Sequence, residues 1–180
     1  GSSFVPPNTQ LREALSANGV EQLIINMKRK DEHYAIADIV TEKTIVNGLV
    51  GLLATGGSTN HAIHIIAIAK AAGIIVDWQD ISDLSAAIPL LCRIYPNGSA
   101  DINHFQAAGG MTFLMRELSE AGFLHQDVKT VAGYGLQNYF LEPKLVKNAE
   151  SEIFRQQSQT QQSEFKVEWQ KSISQSLDET

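Results

Sequence analysis

Apolar positions recur at helical spacing along most of the chain, and glycine, proline and capping residues mark where each run ends. Pro6-Pro7-Asn8-Thr9 is a turn and cap sequence; Leu11, Ala14 and Leu15 follow at helical spacing until Asn18-Gly19, which predicts a stop. A second helix is expected to carry Leu23, Ile24 and Met27, with a charged, exposed stretch from Lys28 to His33 after it. Ala35 to Val40 resumes an apolar pattern that leads toward the next helix. From about Thr44 to Ala54 the chain is apolar almost all round, Thr55-Gly56-Gly57 breaks it, and Ser58 is suited to cap another apolar helix ending near Ala72-Gly73. A helix apolar on nearly every face belongs inside a larger protein, so this pair is expected to form a buried helical hairpin with the Gly-Gly turn at one end.

The second half reads in shorter pieces. Ile74-Ile75-Val76 is rich in β-formers, and a short helix from about Asp80 is expected to stop before Pro89. Leu90 to Tyr95 suits a buried strand or a final helical turn, and periodicity does not choose between them. Pro96-Asn97-Gly98 is a turn; Asp101 to Ala108 reads as helix; after Gly109-Gly110, Met111, Leu114, Met115 and Leu118 mark one face of a further helix closed by Gly122. Beyond Pro143 glutamine, serine and threonine surround scattered apolar residues such as Phe154, Phe165 and Trp169, which predicts a loosely ordered tail.

Composition narrows the class. In 180 residues, 43% hydrophobic against 19% charged, a folded core is attainable. Fourteen basic against twenty acidic residues give a net charge of -6, with the basic ones scattered apart from Lys28-Arg29-Lys30, so nucleic acid is not an expected partner. The run Leu49 to Ala54 falls far short of the roughly 20 apolar residues that span a bilayer, and no signal-peptide pattern opens the chain, so a soluble protein with no membrane partner is expected. A lone cysteine, Cys92, makes no internal disulfide.

The densest chemistry lies in Thr55-Gly56-Gly57-Ser58-Thr59-Asn60. Glycines let backbone approach a ligand, and a helix N-terminus presents free N–H groups to an anion such as phosphate or carboxylate. A capped turn between two packed helices explains the same residues without a ligand. The stretch lacks P-loop spacing, which requires Lys after the second glycine. His61 and His64 stand three apart and face one way, as a metal pair would, yet no third ligand accompanies them in a recognised spacing; a satisfied core or cleft histidine is the simpler reading. Asp101, Asn103 and His104 suit a sugar hydroxyl or an acid–base step, though capping by Asp101 explains at least one of them. Cys92, among Leu90, Leu91 and Ile94, reads as a small buried hydrophobe, and Met111, Phe113 and Met115 read as core.

Taken together these blocks resemble the N-terminal domain of the dihydroxy-acid and phosphogluconate dehydratase family, from near the first residue to about Pro143. The strongest element is ATGGSTNHAIHIIAIAKAAG, Ala54 to Gly73, which is similar to the family's GGSTN block followed by an apolar helix carrying a histidine, here His64. The opening GSSFVPPNTQLREAL, the stretch YPNGSADINHFQAAGG from Tyr95 to Gly110 and VAGYGL from Val131 resemble the phosphogluconate branch more than the branched-chain amino acid branch. On this resemblance Gly1-Ser2-Ser3 is native sequence of an internal segment. After Asn148 the chain departs from the family pattern, apart from a loosely comparable Trp169.

The resemblance implies a helix-rich α/β fold, part of a layered α/β domain that is incomplete in this chain. Residues 1–147 would be the C-terminal portion of the dehydratase N-terminal domain, and 148–180 a Gln/Ser-rich tail or interdomain linker. It implies dehydration of 6-phospho-D-gluconate to 2-dehydro-3-deoxy-6-phosphogluconate in the Entner–Doudoroff pathway, by a cytoplasmic homodimer. An iron–sulfur cluster of the 4Fe–4S kind would act as Lewis acid on the departing hydroxyl, with magnesium held by acidic side chains and a lysine. Family members hold the cluster with cysteines upstream of the GGSTN block and place the proposed serine base in the C-terminal domain. None of those positions maps onto this chain, so no catalytic or metal residue is assigned, and the chain without the remainder of its polypeptide is expected to hold no cofactor and to be inactive. Thr55, Gly56, Gly57, Ser58, Thr59, Asn60, His64, Asn103 and His104 match family blocks and are expected beside the substrate or cluster. The alternative is a non-catalytic helical module that binds an anion or a partner protein through the Gly-Gly turn.

Overall fold

Thr9 starts the first helix, α1 (Gln10–Lys28), its hydroxyl accepting the Arg12 N–H at 3.3 Å. The structure, a computed structural model, describes residues 5–29, 34–147 and 165–171. The readings of Gly1-Ser2-Ser3, of residues 30–33 and of the tail at 148–164 and 172–180 lie outside them. The stop expected at Asn18-Gly19 does not occur: α1 runs through both. A glycine ends a helix where the chain turns left-handed and finds a cap, and Gly19 keeps helical backbone. The second half is instead fastened from the side, where buried Asn26 donates from Nδ2 to the Val131 carbonyl at 2.8 Å and accepts from Gln22 Nε2 at 3.0 Å. A single helical turn, α2 (Ile36–Ile39), follows.

The next helix, α3 (Glu42–Ala54), opens on a reciprocal cap: Thr41 N–H donates to Thr44 Oγ1 at 2.8 Å, and Thr44 N–H to Thr41 Oγ1 at 3.4 Å. Its apolar side chains serve two cores. Ile45, Leu49 and Leu52 pack with Ile65 and Ala69 of α4 (Thr59–Ala71), while Val50 and Ala54 point to the other side. The hairpin of α3 and α4 is therefore present, but only one face of α4 is buried. Ile63, Ala67 and Ile68 lie exposed on its outer face, because α3's second face is taken by another helix and α4 stands at the edge. Ile74 to Val76 makes no strand; Ile74 N–H closes the end of α4 on the Ala69 carbonyl at 2.8 Å. Asp77, not Asp80, caps α5 (Trp78–Ala87), accepting the Gln79 and Asp80 N–H groups at 2.8 and 3.0 Å.

The stretch from Leu90 to Tyr95 forms neither of the expected elements. Leu91 and Cys92 both donate to the Ala54 carbonyl, at 2.9 and 3.0 Å, and Tyr95 donates to the Ala100 carbonyl at 2.8 Å. The Leu91 and Cys92 N–H groups thus cap α3, and the segment's pairing is limited to an isolated bridge between Ile94 and Ala100. After the Pro96-Asn97-Gly98 turn come α6 (Ile102–Ala107) and α7 (Gly110–Glu120). Leu114 and Leu118 of α7 pack on Val50 and Ala54 with Leu124, Val128 and Leu136, and Met111 and Met115 flank them, as the sequence face predicts.

Two antiparallel two-stranded sheets complete the described residues: β1 (Lys129–Thr130) with β2 (Gly133–Tyr134), and β3 (Leu141–Lys147) with β4 (Phe165–Lys171). In the second, Pro143 stands opposite Trp169 and Leu145 opposite Val167, and the hairpin lies against α1. The expectation of a loose tail is overturned for Phe165–Lys171, where Phe165, Val167 and Trp169 alternate with polar residues as a half-buried strand requires. Helices predominate, and no layered sheet is assembled within the described residues.

Candidate functional site

The Thr55–Ser58 turn is built from two caps placed back to back. Gly56 N–H donates to the Leu53 carbonyl at 3.1 Å and Gly57 N–H to the Leu52 carbonyl at 2.9 Å, closing α3 with a left-handed residue at Gly56, φ 59°. Thr55 Oγ1 donates back to Gly51 at 2.7 Å. Ser58 then starts α4, its hydroxyl accepting the His61 N–H at 3.2 Å. The capped-turn reading of this block is what the structure contains. It leaves the Thr59 and Asn60 N–H groups, at the start of a 13-residue helix, without a partner among the described residues.

This turn forms one rim of an open cleft of about 1040 Å³. Thr55 to His61 line that rim; the opposite rim is Ile94 to Asn97, and Phe105, Met111, Met115 and Leu118 supply an apolar floor. Two contacts fix the rims. Asn97 donates from Nδ2 to the Gly56 carbonyl at 2.5 Å, clamping one turn to the other across the cleft's end. Asn47, also on the wall, pairs with His125 through two bonds: its Nδ2 donates to the His125 carbonyl at 2.9 Å, and its Oδ1 accepts the His125 N–H at 2.8 Å. This amide ties α3 to the chain leaving α7, with help from an exposed ion pair between Lys43 and Asp127. That pair holds the Asp127 carboxyl below its ordinary range through the lysine hydrogen bond, and raises Lys43 through the same bond.

Of the other polar sequence candidates, His61 lies on the cleft and Asp101, Asn103, His104 and His64 lie apart from it. Asp101 caps α6 by accepting the Asn103 and His104 N–H groups at 2.9 and 3.0 Å, which lower its carboxyl pKa, the His104 N–H most. His104 Nδ1 lies 2.8 Å from Asp101 Oδ1 and 3.2 Å from Asp101 N. One nitrogen cannot serve both: protonated it donates to the carboxylate, bare it accepts from the backbone. Ile102 and Phe105 are the residues of α6 that face the cleft, whereas Asn103 and His104 do not line it. Both histidines of α4 are exposed, so neither is a core histidine; His61 lines the cleft and His64 does not. The cleft alternative of the histidine reading holds for His61, whereas Asn97 escapes sequence reading, because it shows there only as a turn residue. Cys92 is half-buried against the α3–α7 core, and burial pushes its thiol pKa up.

Comparison with known proteins places this geometry. Residues 1–139 match the family described as dihydroxy-acid/6-phosphogluconate dehydratase, N-terminal. The chain belongs to that family. It is 57% identical over 145 residues to the phosphogluconate dehydratase of Escherichia coli K12, covering 81% of this chain and 24% of that protein. The phosphogluconate dehydratase of Pseudomonas aeruginosa gives the same identity and coverage. A dihydroxy-acid dehydratase of Caldanaerobacter subterraneus is 38% identical over 109 residues, 61% of this chain and 20% of that protein. The chain thus spans about a quarter of the length of the curated relatives it matches. Among the described residues no helix is long and apolar enough to cross a membrane.

Proposed function

We infer that this chain is one wall of the substrate site in a dehydratase that removes water from 6-phospho-D-gluconate, giving 2-dehydro-3-deoxy-6-phosphogluconate, the Entner–Doudoroff reaction. The observation that carries the reading is the coincidence of the GGSTN block with the cleft: Thr55 to Asn60 form its rim, in a chain far more similar to phosphogluconate dehydratases than to the dihydroxy-acid dehydratase. In this reading Thr55, Ser58 and Asn60 offer side-chain hydrogen bonds to hydroxyls of the sugar acid, Gly56 and Gly57 keep the rim low, and the open N–H groups of Thr59 and Asn60 face an anionic group. His64, Asn103 and His104, off the cleft in this chain, would meet the remainder of the polypeptide. Residues 1–147 belong to the N-terminal domain, and Phe165–Lys171 pairs back onto it through β3, within a cytoplasmic homodimer.

The iron–sulfur cluster of the family does not fit this chain's own side chains. The sequence has one cysteine, its half-buried thiol is disfavoured as thiolate, and no group of three His, Cys, Asp or Glu side chains placed to hold a metal ion occurs among the described residues. In this reading the cluster thiolates come from elsewhere in the polypeptide, and this chain's part is to bind and orient the substrate. The test is substrate preference of the full-length, cluster-loaded enzyme. Turnover of 6-phosphogluconate in large excess over a branched 2,3-dihydroxy acid is expected; the reverse preference refutes the assignment.

A further inference from the structure

We propose that His61 selects the phosphorylated substrate by contacting its phosphate, a role that rests on the dehydratase reading above and deepens it. The described wall of the cleft carries no lysine, arginine, aspartate or glutamate, and His61 is the one side chain on it able to take a positive charge. Its backbone is fixed by the Ser58 hydroxyl, while its imidazole is exposed and has no hydrogen-bond partner among the described residues. A ring held at the Cα and unengaged at both nitrogens is free to meet a ligand from the cleft.

The substrate has two anionic ends, and their charge distinguishes them: the carboxylate is a monoanion, while the phosphate is the more highly charged end and the one that D-gluconate lacks. At neutral pH that phosphate carries close to two negative charges and three strong acceptor oxygens, and a charge-assisted hydrogen bond is the interaction that tells it from a plain hydroxyl. The floor beneath is apolar, formed by Phe105, Met111 and Met115, and offers the phosphate nothing in exchange for lost water.

The experiment uses the full-length, cluster-loaded enzyme that carries this segment. Calorimetric Kd values for 6-phosphogluconate, D-gluconate and inorganic phosphate are compared between wild type, His61→Ala and His61→Gln, with kcat and KM for 6-phosphogluconate alongside. His61→Ala is expected to weaken 6-phosphogluconate and inorganic phosphate by about ten- to a hundredfold, the usual worth of a charge-assisted bond. D-gluconate binding should stay within about twofold, and the loss for 6-phosphogluconate should appear in KM more than in kcat. His61→Gln, which keeps a hydrogen-bond donor without the imidazole, should fall between, and it carries the comparison alone if the alanine variant fails to fold. Equal weakening of 6-phosphogluconate and gluconate overturns the proposal, since the contact would then lie at the reacting end or be structural; unchanged binding of all three overturns it as well. A wild type that does not dehydrate 6-phosphogluconate defeats the dehydratase reading itself, whereas an active wild type with an unaffected variant defeats only the role of His61.

Discussion

Gly56→Ala should open the clamp at the end of the cleft and destabilise the chain together. At φ 59° a side chain forces left-handed backbone on alanine, which costs about 1–2 kcal/mol. The added Cβ would also stand 2.9 Å from Leu90 Cδ1, and closer still to Asn97 Nδ2, the atom that clamps this turn. Nδ2 must move, and the Asn97–Gly56 bond, worth about 0.5–1.5 kcal/mol net, is lost with it. The two add to about 1.5–3.5 kcal/mol. Gly51→Ala, one turn earlier in α3, is the control: its Cβ meets nothing within 4 Å and its backbone is ordinary helix, so it should stabilise by about 0.5–1 kcal/mol. Urea unfolding of the two variants and the wild type, followed by far-UV circular dichroism, measures both. If Gly56→Ala falls within about 0.5 kcal/mol of wild type, the margin of an ordinary surface change, or if Gly51→Ala loses as much as it does, the turn is not built as described.

Three further outcomes follow from the same contacts. Ser58→Ala removes the cap of α4 and should cost about 0.5–2 kcal/mol, read as a lower thermal midpoint; an unchanged midpoint with lost substrate affinity would make Ser58 a ligand contact alone. Asn47→Ala breaks both bonds to His125 and should cost about 1–3 kcal/mol in urea unfolding, whereas Asn47→Asp keeps the acceptor and loses only the donor, and should cost less. For the Lys43–Asp127 pair, Asp127 is lowered in the folded chain, so its contribution is present above the unfolded carboxylate value and is lost as pH falls through the folded one; Lys43 is raised, so its contribution is lost only as pH rises through its folded value. The gap in urea midpoint between wild type and Lys43→Met should therefore be flat from about pH 5 to 9 and close below about pH 4; a gap that persists in acid contradicts an ionic origin.

What was legible in the sequence was what is local. The Ser58 cap, the Gly56 turn and the Asp101 cap are decided by residues within four positions of one another, and each formed as read. What was not legible depends on partners far along the chain. Gly19 carries a stop signal, yet α1 continues because Asn26 finds Val131, 105 residues away. The segment 90–95 has strand-like composition, yet its Leu91 and Cys92 N–H groups go to the end of α3 at Ala54. The outer face of α4 reads as core because its residues are apolar, and sequence gives no count of the neighbours available to cover it. In the tail, the surrounding glutamines and serines hid a period-two pattern, Phe165, Val167, Trp169, that was present all along. The site was half legible. The GGSTN block and His61, both singled out in the sequence, line the cleft, but the Asn97 clamp is a product of the fold.

On the proposed reading this chain positions the substrate, and the cluster is held by thiolates outside it. The most direct measurement is anaerobic reconstitution of the isolated 180-residue chain with iron and sulfide, with the full-length enzyme treated identically, followed by iron analysis, visible absorption and conversion of 6-phosphogluconate. The isolated chain should stay colourless and inactive while the full-length enzyme gains both the chromophore and turnover; a stoichiometric cluster on the chain alone, or dehydration of 6-phosphogluconate by it without one, would contradict the claim.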